Sequence, residues 1–434
     1  DCTLHVPTVE PLDVWRILKG AGVKRVLYIV ADITGKPRGV SFHIDEAKRA
    51  FKEGVPFDGS SVPSYARVHE SDVLAEPDPS AVYVEPWRRT AWVFCRIADP
   101  PSAAARDPRL LLERAVDKLR ANGYAATIGI EVEFFLVRVE GGRVVPADDG
   151  CYFDVQQPPL KVVERIEAAA RRAGLGGSKV HHEVAPGQYE YNLPPLDPMR
   201  AADSFLFLKH IASTVAGAHG LRATFMPKPF WGVNGSGAHV HLSLRALGEN
   251  ANGGNGSMEE IGVRCLAGVL KYSKPLAAVA APTVNSYKRL VPHHEAPTRL
   301  VWGYANRSAL VRVPRYGSSI ARIEVREPDP LMNPYLTLAL LLTSALKGLE
   351  EGGEPPEPLA ASAYDVPGTE ETPPNLQAAL QEFERASHEL EVPGELASAY
   401  LEVKKREWRE YIEAAGPWEK TWNLITDWEY KKYL

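Results

Sequence analysis

The stretch Ile130-Glu131-Val132-Glu133-Phe134-Phe135-Leu136 has the composition of a single β-strand. Because side chains alternate across a strand, Glu131 and Glu133 share one face, while Val132 and Phe134 fill the other. Two neighbouring carboxylates repel each other unless a cationic group lies between or above them. The stretch therefore predicts a strand that is apolar on one face and offers paired carboxylates to a divalent metal on the other.

Two later segments repeat this combination of polar side chains and apolar strands. In His181-His-Glu-Val-Ala-Pro-Gly-Gln-Tyr-Glu190, a Pro-Gly turn can fold Glu183 and the terminal glutamate towards one point. In Asn234-Gly-Ser-Gly-Ala-His-Val-His-Leu-Ser243, His239 and His241 share a strand face, and the preceding glycines allow a ligand to approach the backbone. We therefore expect both segments to contribute to one site.

A further segment, Arg322-Ile-Glu-Val-Arg326, places Glu324 between two arginines on one strand face. Taken singly, each pattern has an ordinary structural explanation. A Glu-x-Glu pair is usually a solvated strand face, a strand histidine is usually hydrogen-bonded, and an Arg-x-Glu-x-Arg strand is usually a ladder of salt bridges. Four such segments in one chain favour a shared site.

The residue types of these segments indicate the chemistry of that site. Oxygen ligands with few imidazoles suit Mg²⁺ or Mn²⁺ rather than zinc. Arginine forks, which match phosphate and carboxylate geometry, accompany the acidic segments. They are Arg289, Arg307, Arg312, Arg322 and Arg326. This combination indicates phosphoryl transfer from a nucleotide, and the lack of a Gly-x-x-x-x-Gly-Lys-Ser/Thr sequence excludes a P-loop enzyme.

Composition and charge narrow the class of protein. The 434 residues, 45% hydrophobic and 24% charged, are typical of a globular protein with more than one domain. A formal net charge of −5 provides no basic field for nucleic acid or an anionic membrane. The chain starts without a signal-peptide pattern, and its longest apolar run, residues 335–346, is too short to cross a bilayer. We therefore expect a cytoplasmic protein with free thiols at Cys2, Cys95, Cys151 and Cys265.

Local patterns predict a small α/β unit over residues 11–100, followed by a Pro- and Ala-rich linker over 99–105. Strands are expected near residues 25–30, 83–85, 91–97 and 125–139, with a hairpin turn at Gly141-Gly142. Helices are expected near residues 12–18, 108–123, 161–173, 201–219 and 335–346, and in the charged tail from 387. Asn333-Pro334 is a helix-start pattern, and residues 350–357 are expected to form a loop.

The ordered motifs of the chain are similar to those of glutamine synthetase, type I. They extend from the N-terminal part to the last residues, so the resemblance covers nearly the whole chain. The motifs are Phe57-Asp-Gly-Ser-Ser61, Glu70-Ser-Asp72, Glu131-Val-Glu-Phe-Phe135, His181-His-Glu-Val-Ala-Pro-Gly-Gln188, Lys228-Pro-Phe-Trp-Gly-Val-Asn-Gly-Ser-Gly237, Asn285-Ser-Tyr-Lys-Arg-Leu290, Glu295-Ala-Pro297, Asn306-Arg-Ser308, Arg322-Ile-Glu-Val-Arg326, Pro328-Asp-Pro330 and Asp427-Trp-Glu429.

The resemblance implies an α+β fold with two domains. A small β-grasp-like domain would occupy residues 11–104. A large catalytic domain, with a curved antiparallel sheet and flanking helices, would occupy residues 105–434. The resemblance also implies a homo-oligomer, a dodecamer of two hexameric rings, whose active sites lie between adjacent subunits.

The resemblance implies two or more Mg²⁺ or Mn²⁺ ions per site, with ATP as co-substrate. One ion would be held by Glu133, Glu183 and Glu190. A second would be held by Glu131, His239 and Glu324. His241 would only support the site, and His181 and His182 receive no role.

The implied reaction joins ammonia to glutamate. The γ-carboxylate of glutamate attacks the terminal phosphate of ATP, and ammonia then displaces phosphate from γ-glutamyl phosphate. The resemblance assigns glutamate binding to Asn234, Gly235, Arg289, Glu295, Arg307 and Arg326. It assigns ATP binding to Ser243, Arg312 and Arg322, with Arg307 on the phosphate side.

The resemblance assigns the reaction itself to three residues: Asp58, Glu295 and Arg307. Asp58, entering from the neighbouring subunit, would bind ammonium and take its proton. Glu295 would belong to a flap that excludes water from the acyl phosphate. Without the resemblance, Asp58 is equally a turn-forming aspartate and Arg312 a surface strand residue.

Several residues depart from the family pattern. Tyr191-Asn-Leu-Pro-Pro195 replaces an aromatic and a basic residue near the nucleotide, and Ala238 replaces a methionine. His293-His294 replaces Gly-Tyr before the flap glutamate, and Glu327 stands where an apolar or small residue is common. These changes leave open whether the acceptor is ammonia, another amine or a polyamine. A catalytically silent homologue is a third alternative, although every metal carboxylate is retained.

Two regulatory expectations also follow from the resemblance. Tyr364 stands where some members carry an adenylylated tyrosine, although its neighbours differ and a packed loop tyrosine is the alternative. Arg67 follows the Asp-Gly-Ser-Ser motif, where it could sense bound glutamine across a subunit interface.

Overall fold

A computed structural model describes residues 10–434 except 64, 67, 88, 178, 249–256 and 316–319. Two β-sheets organise these residues, one of five strands in the N-terminal part and one of nine strands in the remainder. Helices pack against both sheets, so the α+β class predicted from the sequence is confirmed.

The strands of the first sheet are not arranged in the order in which they follow one another along the chain. Its strands are β1 (Arg25–Ala31), β2 (Pro37–His43), β3 (Val55–Asp58), β4 (Asp72–Val84) and β5 (Thr90–Asp99). They are arranged β2-β1-β5-β4-β3, with β1 and β5 parallel and the other neighbours antiparallel. Helices α1 (Pro11–Gly20) and α2 (Ile44–Glu53) add Leu18 and Phe51 to one apolar cluster with this sheet. Helix α2 was not predicted, although its buried residues Ile44, Ala47, Ala50 and Phe51 recur at helical spacing, because its other residues are charged.

The stretch predicted as a linker is folded. It contains the one-turn helix α3 (Pro101–Ala104), whose Ala103 is buried in the cluster of the first sheet. The helix α4 (Pro108–Ala121) follows, capped by the Asp107 side chain, which accepts from the Arg109 backbone N–H at 2.9 Å. The linker prediction was wrong because small alanines fit a close helix–sheet contact as well as they suit a flexible segment.

The second sheet is built around one long strand, β6 (Tyr124–Glu140). Its other strands are β7 (Arg143–Pro146), β8 (Lys179–His182), β9 (Gln188–Leu196), β10 (Arg222–Thr224), β11 (Ala238–Ala246), β12 (Trp302–Tyr304), β13 (Val311–Val313) and β14 (Ile323–Val325). The main order is β12-β13-β14-β11-β6-β9-β8, and β7 and β10 also pair with β6. The predicted β6–β7 hairpin is present, with left-handed φ values of 57° at Gly141 and 79° at Gly142.

The remaining helices of the described residues pack around this sheet. They are α5 (Leu160–Arg172), α6 (Pro198–Ala218), α7 (Met258–Lys271), α8 (Ser273–Ala280), α9 (Ser286–Arg289), α10 (Pro334–Glu351), α11 (Leu376–Ala386), α12 (Gly394–Ala415), α13 (Trp418–Thr421) and α14 (Asp427–Tyr433). Alternate residues of β6, including Ile130, Val132 and Phe134, are buried in the apolar core that these helices share. The intervening residues Glu131 and Glu133 therefore face the other side of the sheet.

Helix α10 begins and ends as its sequence indicates. The Asn333 side chain accepts from the backbone N–H groups of Tyr335 and Leu336, and Pro334 occupies the first turn. The helix ends at Gly352, whose φ of 66° is left-handed. None of the helices in the described ranges is long and apolar enough to cross a membrane.

The two sheets meet at a tight junction. The side-chain amide of Asn333 donates to the carbonyls of Asp32 and Ile33 at 3.3 and 3.2 Å. Gly35 allows this approach, since a Cβ there would lie 2.7 Å from the Cα of Asn333. Residues of both sheets, such as Phe94 and Phe134, belong to one buried apolar cluster. The first sheet is thereby fixed against the helical layer of the second.

Candidate active site

The polar face of the second sheet brings the acidic segments together through cross-strand pairing. Glu133 of β6 lies opposite Glu190 of β9, and Glu131 lies opposite His239 of β11. On the next strand pair, Glu324 of β14 lies opposite His241. Residues of four separate sequence segments thus line one surface.

Glu131 is held by both histidines of β11. Its two carboxylate oxygens lie 3.2 Å from Nδ1 of His239 and 3.0 Å from Nε2 of His241. Burial opposes its ionisation, but the hydrogen bonds to the two imidazoles outweigh this, and the pKa of Glu131 lies below its ordinary value. Burial, followed by the charge of Arg326, lowers the pKa of His239 and favours the neutral imidazole that a metal requires.

Glu133 is oriented by neighbouring groups. Its Oε2 accepts from the Gly237 N–H at 2.8 Å and from the Gln188 amide at 3.0 Å, while Oε1 lies 3.7 Å from Nε2 of His239. Burial, and then the charges of Glu183 and Glu190, raise the pKa of Glu133 well above its usual range. The negative charges of Glu183 and Glu190 therefore dominate the surroundings of Glu133, as a cation site requires.

A second group of possible ligand atoms lies beside the first. Oε1 of Glu190 is 3.0 Å from Nε2 of His181, and Nδ1 of the same histidine is 3.4 Å from Oε1 of Glu183. One ligand atom each from His181, Glu183 and Glu190 fits within 4.8 Å, and so does one each from Glu131, Glu190 and His239. Burial, and then the charge of Glu190, raise the pKa of Glu183. Glu190 belongs to both groups, an arrangement that the predicted ligand sets did not include.

Glu324 is bound by arginines in this arrangement. Arg312 donates to its Oε2, and Arg326 donates to its Oε1 at 2.5 Å. Nδ1 of His239 lies 3.9 Å from the same Oε1. Burial opposes ionisation, but the charges of Arg326, His239 and His241 lower the pKa of Glu324 to about 2. Both oxygens of this ionised carboxylate are therefore occupied by guanidinium groups.

The two arginines predicted to hold glutamate are buried and bonded to the backbone. Arg289 donates to the carbonyls of Glu327 at 2.7 Å and Arg326 at 2.8 Å. Arg326 donates to the carbonyls of Arg307 and Glu295, both at 3.1 Å. In this structure the two side chains fix the loops that border the site, and their positive charge faces the acidic cluster.

The glycine-rich turn before β11 passes close to the cluster. A Cβ at Gly235 would lie 2.4 Å from the Pro227 carbonyl, and one at Gly237 would lie 2.5 Å from Nε2 of His239. The neighbouring Asn234 is half-buried. Larger residues at either glycine would displace the strand that carries His239.

Comparison with known proteins identifies the family. The model of the glutamine synthetase catalytic domain matches residues 105–423, and the model of the glutamine synthetase beta-Grasp domain matches residues 22–100. This chain belongs to the glutamine synthetase family. The predicted resemblance and the predicted combination of a β-grasp domain with a catalytic domain are thereby confirmed.

Curated glutamine synthetases are similar over their full length. Those of Pyrococcus horikoshii and Pyrococcus abyssi are 38% and 37% identical, covering 96% and 95% of this chain and 97% and 96% of their own. That of Methanocaldococcus jannaschii is 37% identical, covering 96% of each chain. A solved structure described as an ADP complex of GmaS superposes with a TM-score of 0.84, at 30% identity, over 97% of this chain and 99% of the other. Membership establishes ATP-dependent glutamate ligation as the activity class.

Four residues predicted to belong to the flap or the nucleotide site are Glu295, Arg307, Arg322 and Ser243. Glu295, with a left-handed φ of 52°, has its Oε2 3.9 Å from Nη1 of Arg307, whose side chain is mostly exposed. Arg322 is exposed, and Ser243 is half-buried on the same face of β11 as His241. These positions leave Arg307 and Arg322 accessible to a ligand.

Asp58 lies on the first sheet and is not paired with the cluster in this chain. Its carboxylate accepts from the N–H and hydroxyl of Ser60 and from the hydroxyl of Ser61. Hydrogen bonds from Ser60 and then Ser61 lower the pKa of Asp58. Its predicted role across a subunit interface stays a prediction, and Arg67, the predicted glutamine sensor, lies outside the described residues.

Sequence reasoning gave no ligand role to two residues that the synthetase fold places at the site. His181 contacts two carboxylates directly, and His241 holds Glu131. The alternation with His239 indicated the face on which His241 lies. Only the register between β8 and β9, which is not visible in the sequence, places His181 opposite Glu190.

Two further residues near the acidic groups were also missed. Asn192 donates to Glu190 at 2.6 Å, so the residue that departs from the family pattern orients a carboxylate. Phe153, with a left-handed φ of 62°, packs its ring 4.8 Å from that of His181 and is exposed on its other side. No local pattern indicated this aromatic contact.

Proposed function

We propose that this chain catalyses the ATP-dependent ligation of ammonia to the γ-carboxylate of L-glutamate, which gives glutamine, ADP and phosphate. The observation that carries the proposal is the crowding of three carboxylates, in which Glu133 lies opposite Glu190 on adjacent strands beside the half-buried Glu183. Burial, and then the charges of Glu183 and Glu190, raise the pKa of Glu133. Such crowding is tolerable where cations are bound, and a reaction between a carboxylate and a triphosphate needs cations in the same place.

The predicted donors, five carboxylates and one imidazole, fit Mg²⁺ or Mn²⁺. Four of them, Glu131, Glu183, Glu190 and His239, belong to the groups whose ligand atoms lie within 4.8 Å of one another. Glu133, Glu183 and Glu190 are proposed to hold one ion, and Glu131, His239 and Glu324 a second. Bound ions would offset the phosphate charge and orient the transferred phosphoryl group. The arginines that occupy Glu324 must yield at least one of its oxygens for this assignment to hold.

The remaining roles concern the substrates. Glutamate is proposed to be bound by Asn234, Gly235, Arg289, Glu295, Arg307 and Arg326. ATP is proposed to be bound by Ser243, Arg312 and Arg322, with Arg307 on the phosphate side. A γ-carboxylate oxygen attacks the terminal phosphorus, the bond to the bridging oxygen breaks, and ADP leaves. The arginines lower the repulsion between the two anions and the charge of the transition state.

The second step of the reaction needs a nitrogen nucleophile and a site from which water is excluded. Ammonium gives one proton to Asp58 of the partner subunit, and the resulting ammonia displaces phosphate from the acyl carbon. Glu295 lies above the intermediate and limits access of water. This role for Asp58 entails a homo-oligomer, for which we propose a cytoplasmic dodecamer of two hexameric rings, with domains at residues 11–104 and 105–434.

A second acceptor is also a candidate, since His293 and His294 replace the Gly-Tyr that the family usually carries before the flap glutamate. In this alternative a primary amine or polyamine replaces ammonia, with unchanged phosphoryl chemistry. The changed residues flank Glu295, where an acceptor would enter.

One assay distinguishes these functions. Phosphate release and amide product are measured with glutamate, ATP and Mg²⁺ or Mn²⁺, comparing ammonium with methylamine, ethylamine and putrescine. Ammonium is expected to support the highest kcat/KM. If only an amine supports turnover, that amine is the acceptor in place of ammonia. If no acceptor supports glutamate-dependent turnover, the protein is a catalytically silent homologue.

A further inference from the structure

An irregular segment, Leu359–Tyr364, crosses the two loops that carry Glu295 and Arg307, and we call it the strap. Its first residue donates its N–H to the Trp302 carbonyl at 2.8 Å. Gly303 allows this contact, since a Cβ there would lie 2.5 Å from the Leu359 carbonyl oxygen. The strap therefore lies directly against the edge of the second sheet.

The middle of the strap is bonded to the turn that carries Arg307. The Asn306 side chain donates to the carbonyls of Leu359 and Ala361 at 3.0 and 2.9 Å. The Ser308 hydroxyl accepts from the Ala363 N–H at 2.8 Å. Residues on both sides of Arg307 are thus fixed to the strap.

The end of the strap is bonded to the loop 291–297, which we call the flap loop. The Tyr364 hydroxyl donates to the carbonyl of Ala296, next to Glu295, at 3.0 Å. The Tyr364 ring packs on His293, with ring centroids 5.0 Å apart. Tyr364 therefore contacts the flap loop on both sides of Glu295.

The flap loop needs such contacts because of its backbone conformation. His293 and Glu295 have left-handed φ values of 65° and 52°, which residues with a side chain rarely adopt. Such conformations persist only where surrounding contacts fix them. The Arg326 side chain donates to the Glu295 carbonyl, and the Tyr364 hydroxyl donates to the next carbonyl along the chain, that of Ala296.

We propose that Tyr364 is a positioning residue that holds the flap loop in place through Ala296, so that γ-glutamyl phosphate reacts with the nitrogen acceptor rather than with water. The inference rests on the proposed function, because it concerns the fate of that intermediate. The side-chain contacts of Tyr364 described above are with Ala296 and His293, neither of which is assigned to a metal or a substrate, so Tyr364 acts on the neighbouring Glu295 only through the flap loop.

The test is Tyr364→Phe, which removes the hydrogen bond and keeps the ring against His293. Phosphate release and amide product are measured at saturating ammonium with glutamate and ATP. Phosphate released without amide formation is expected to rise about three- to tenfold, the factor that corresponds to losing one such hydrogen bond. Mere loss of folded enzyme would lower both products equally and leave their ratio unchanged.

The matched control is Tyr400→Phe, which removes a buried hydroxyl bonded to the Ala278 carbonyl at 2.5 Å, away from the flap loop. Its ratio of phosphate to amide should equal that of the wild type. An unchanged ratio in Tyr364→Phe, or an equal rise in Tyr400→Phe, overturns the proposal.

Hydrogen exchange separates this inference from the proposed function. The backbone amides of the non-proline residues of the flap loop, Val291 and 293–296, should exchange faster in Tyr364→Phe than in the wild type or in Tyr400→Phe. Equal exchange in all three proteins overturns the positioning role, whatever reaction the enzyme catalyses. Faster exchange in Tyr364→Phe supports that role even if the ligation assay fails.

Discussion

Glu133 and Glu190 lie directly opposite each other on adjacent strands, and neither has a lysine or arginine within ion-pair distance among the described residues. The protein therefore places like charges side by side in its core. When folding raises the pKa of a glutamate, the protonated side chain favours the folded state. This contribution to the free energy of unfolding is fully present below the pKa of the unfolded chain and is lost as the pH rises through the folded-state pKa.

The first prediction concerns metal and pH. In metal-free protein, ionisation of Glu133 should lower the free energy of unfolding as the pH rises from 5 to 8. Mg²⁺ or Mn²⁺ should raise the Tm more at pH 8 than at pH 5, because metal and proton compete for the carboxylates. Melting curves with EDTA and with metal measure both trends. In Glu133→Gln the metal-free protein should melt higher at pH 8 than the wild type. A metal effect that is the same at every pH would contradict the prediction.

The second prediction concerns Glu324, whose carboxylate lies between Arg312 and Arg326. Glu324→Gln leaves the buried Arg326 without its anion, which should lower the free energy of unfolding by about 3–5 kcal/mol and abolish ligation. Denaturant unfolding and the ligation assay measure these effects. Glu53→Gln, which removes an exposed ion pair with Arg49, should change neither. Wild-type turnover in Glu324→Gln would disprove the metal assignment.

The third prediction separates the two histidines of β11. His241 orients Glu131 from the side, so His241→Ala should weaken metal affinity about 10- to 100-fold while ligation remains measurable at high metal concentration. His239→Ala should not be rescued by added metal, because a ligand is missing. Titration of activity against Mn²⁺ measures both, with the exposed His219→Ala as control. Equal behaviour of the two site variants would refute the distinction.

The fourth prediction concerns the glycine-rich turn. Gly237→Ala places a methyl group 2.5 Å from Nε2 of His239 and 2.7 Å from Nη2 of Arg289, so it should reduce kcat/KM for glutamate about 100-fold or more. Gly217→Ala, in α6, meets no atom within 4 Å and should add about 0.5–1 kcal/mol of stability without changing kcat/KM. Normal kinetics in Gly237→Ala would show that the turn can move away.

Local sequence patterns were sufficient where one element determines its own structure. Alternation in β6 gave the polar and apolar faces, and Asn333-Pro334 gave the start of α10. They failed for α2 and α11, where charged residues hide a short apolar stripe. They also failed for α3, since alanines do not distinguish a linker from a packed turn of helix.

Cross-strand and loop contacts could not be predicted in the same way. The pairing of His181 with Glu190 depends on the register of β8 and β9, and the bonds of Arg289 to the carbonyls of residues 326–328 depend on a turn distant in sequence. The family motifs named the residues proposed for the site, but they carry no information on which oxygen of Glu324 each arginine occupies.

The contacts of the Asn333 side chain have a consequence for how the protein unfolds. Because this side chain caps α10 and also binds the carbonyls of Asp32 and Ile33, which directly follow β1, this buried apolar helix cannot fray at its start without releasing the N-terminal strands. Heat or denaturant should consequently melt both sheets in one cooperative transition, with no stage at which an isolated half survives.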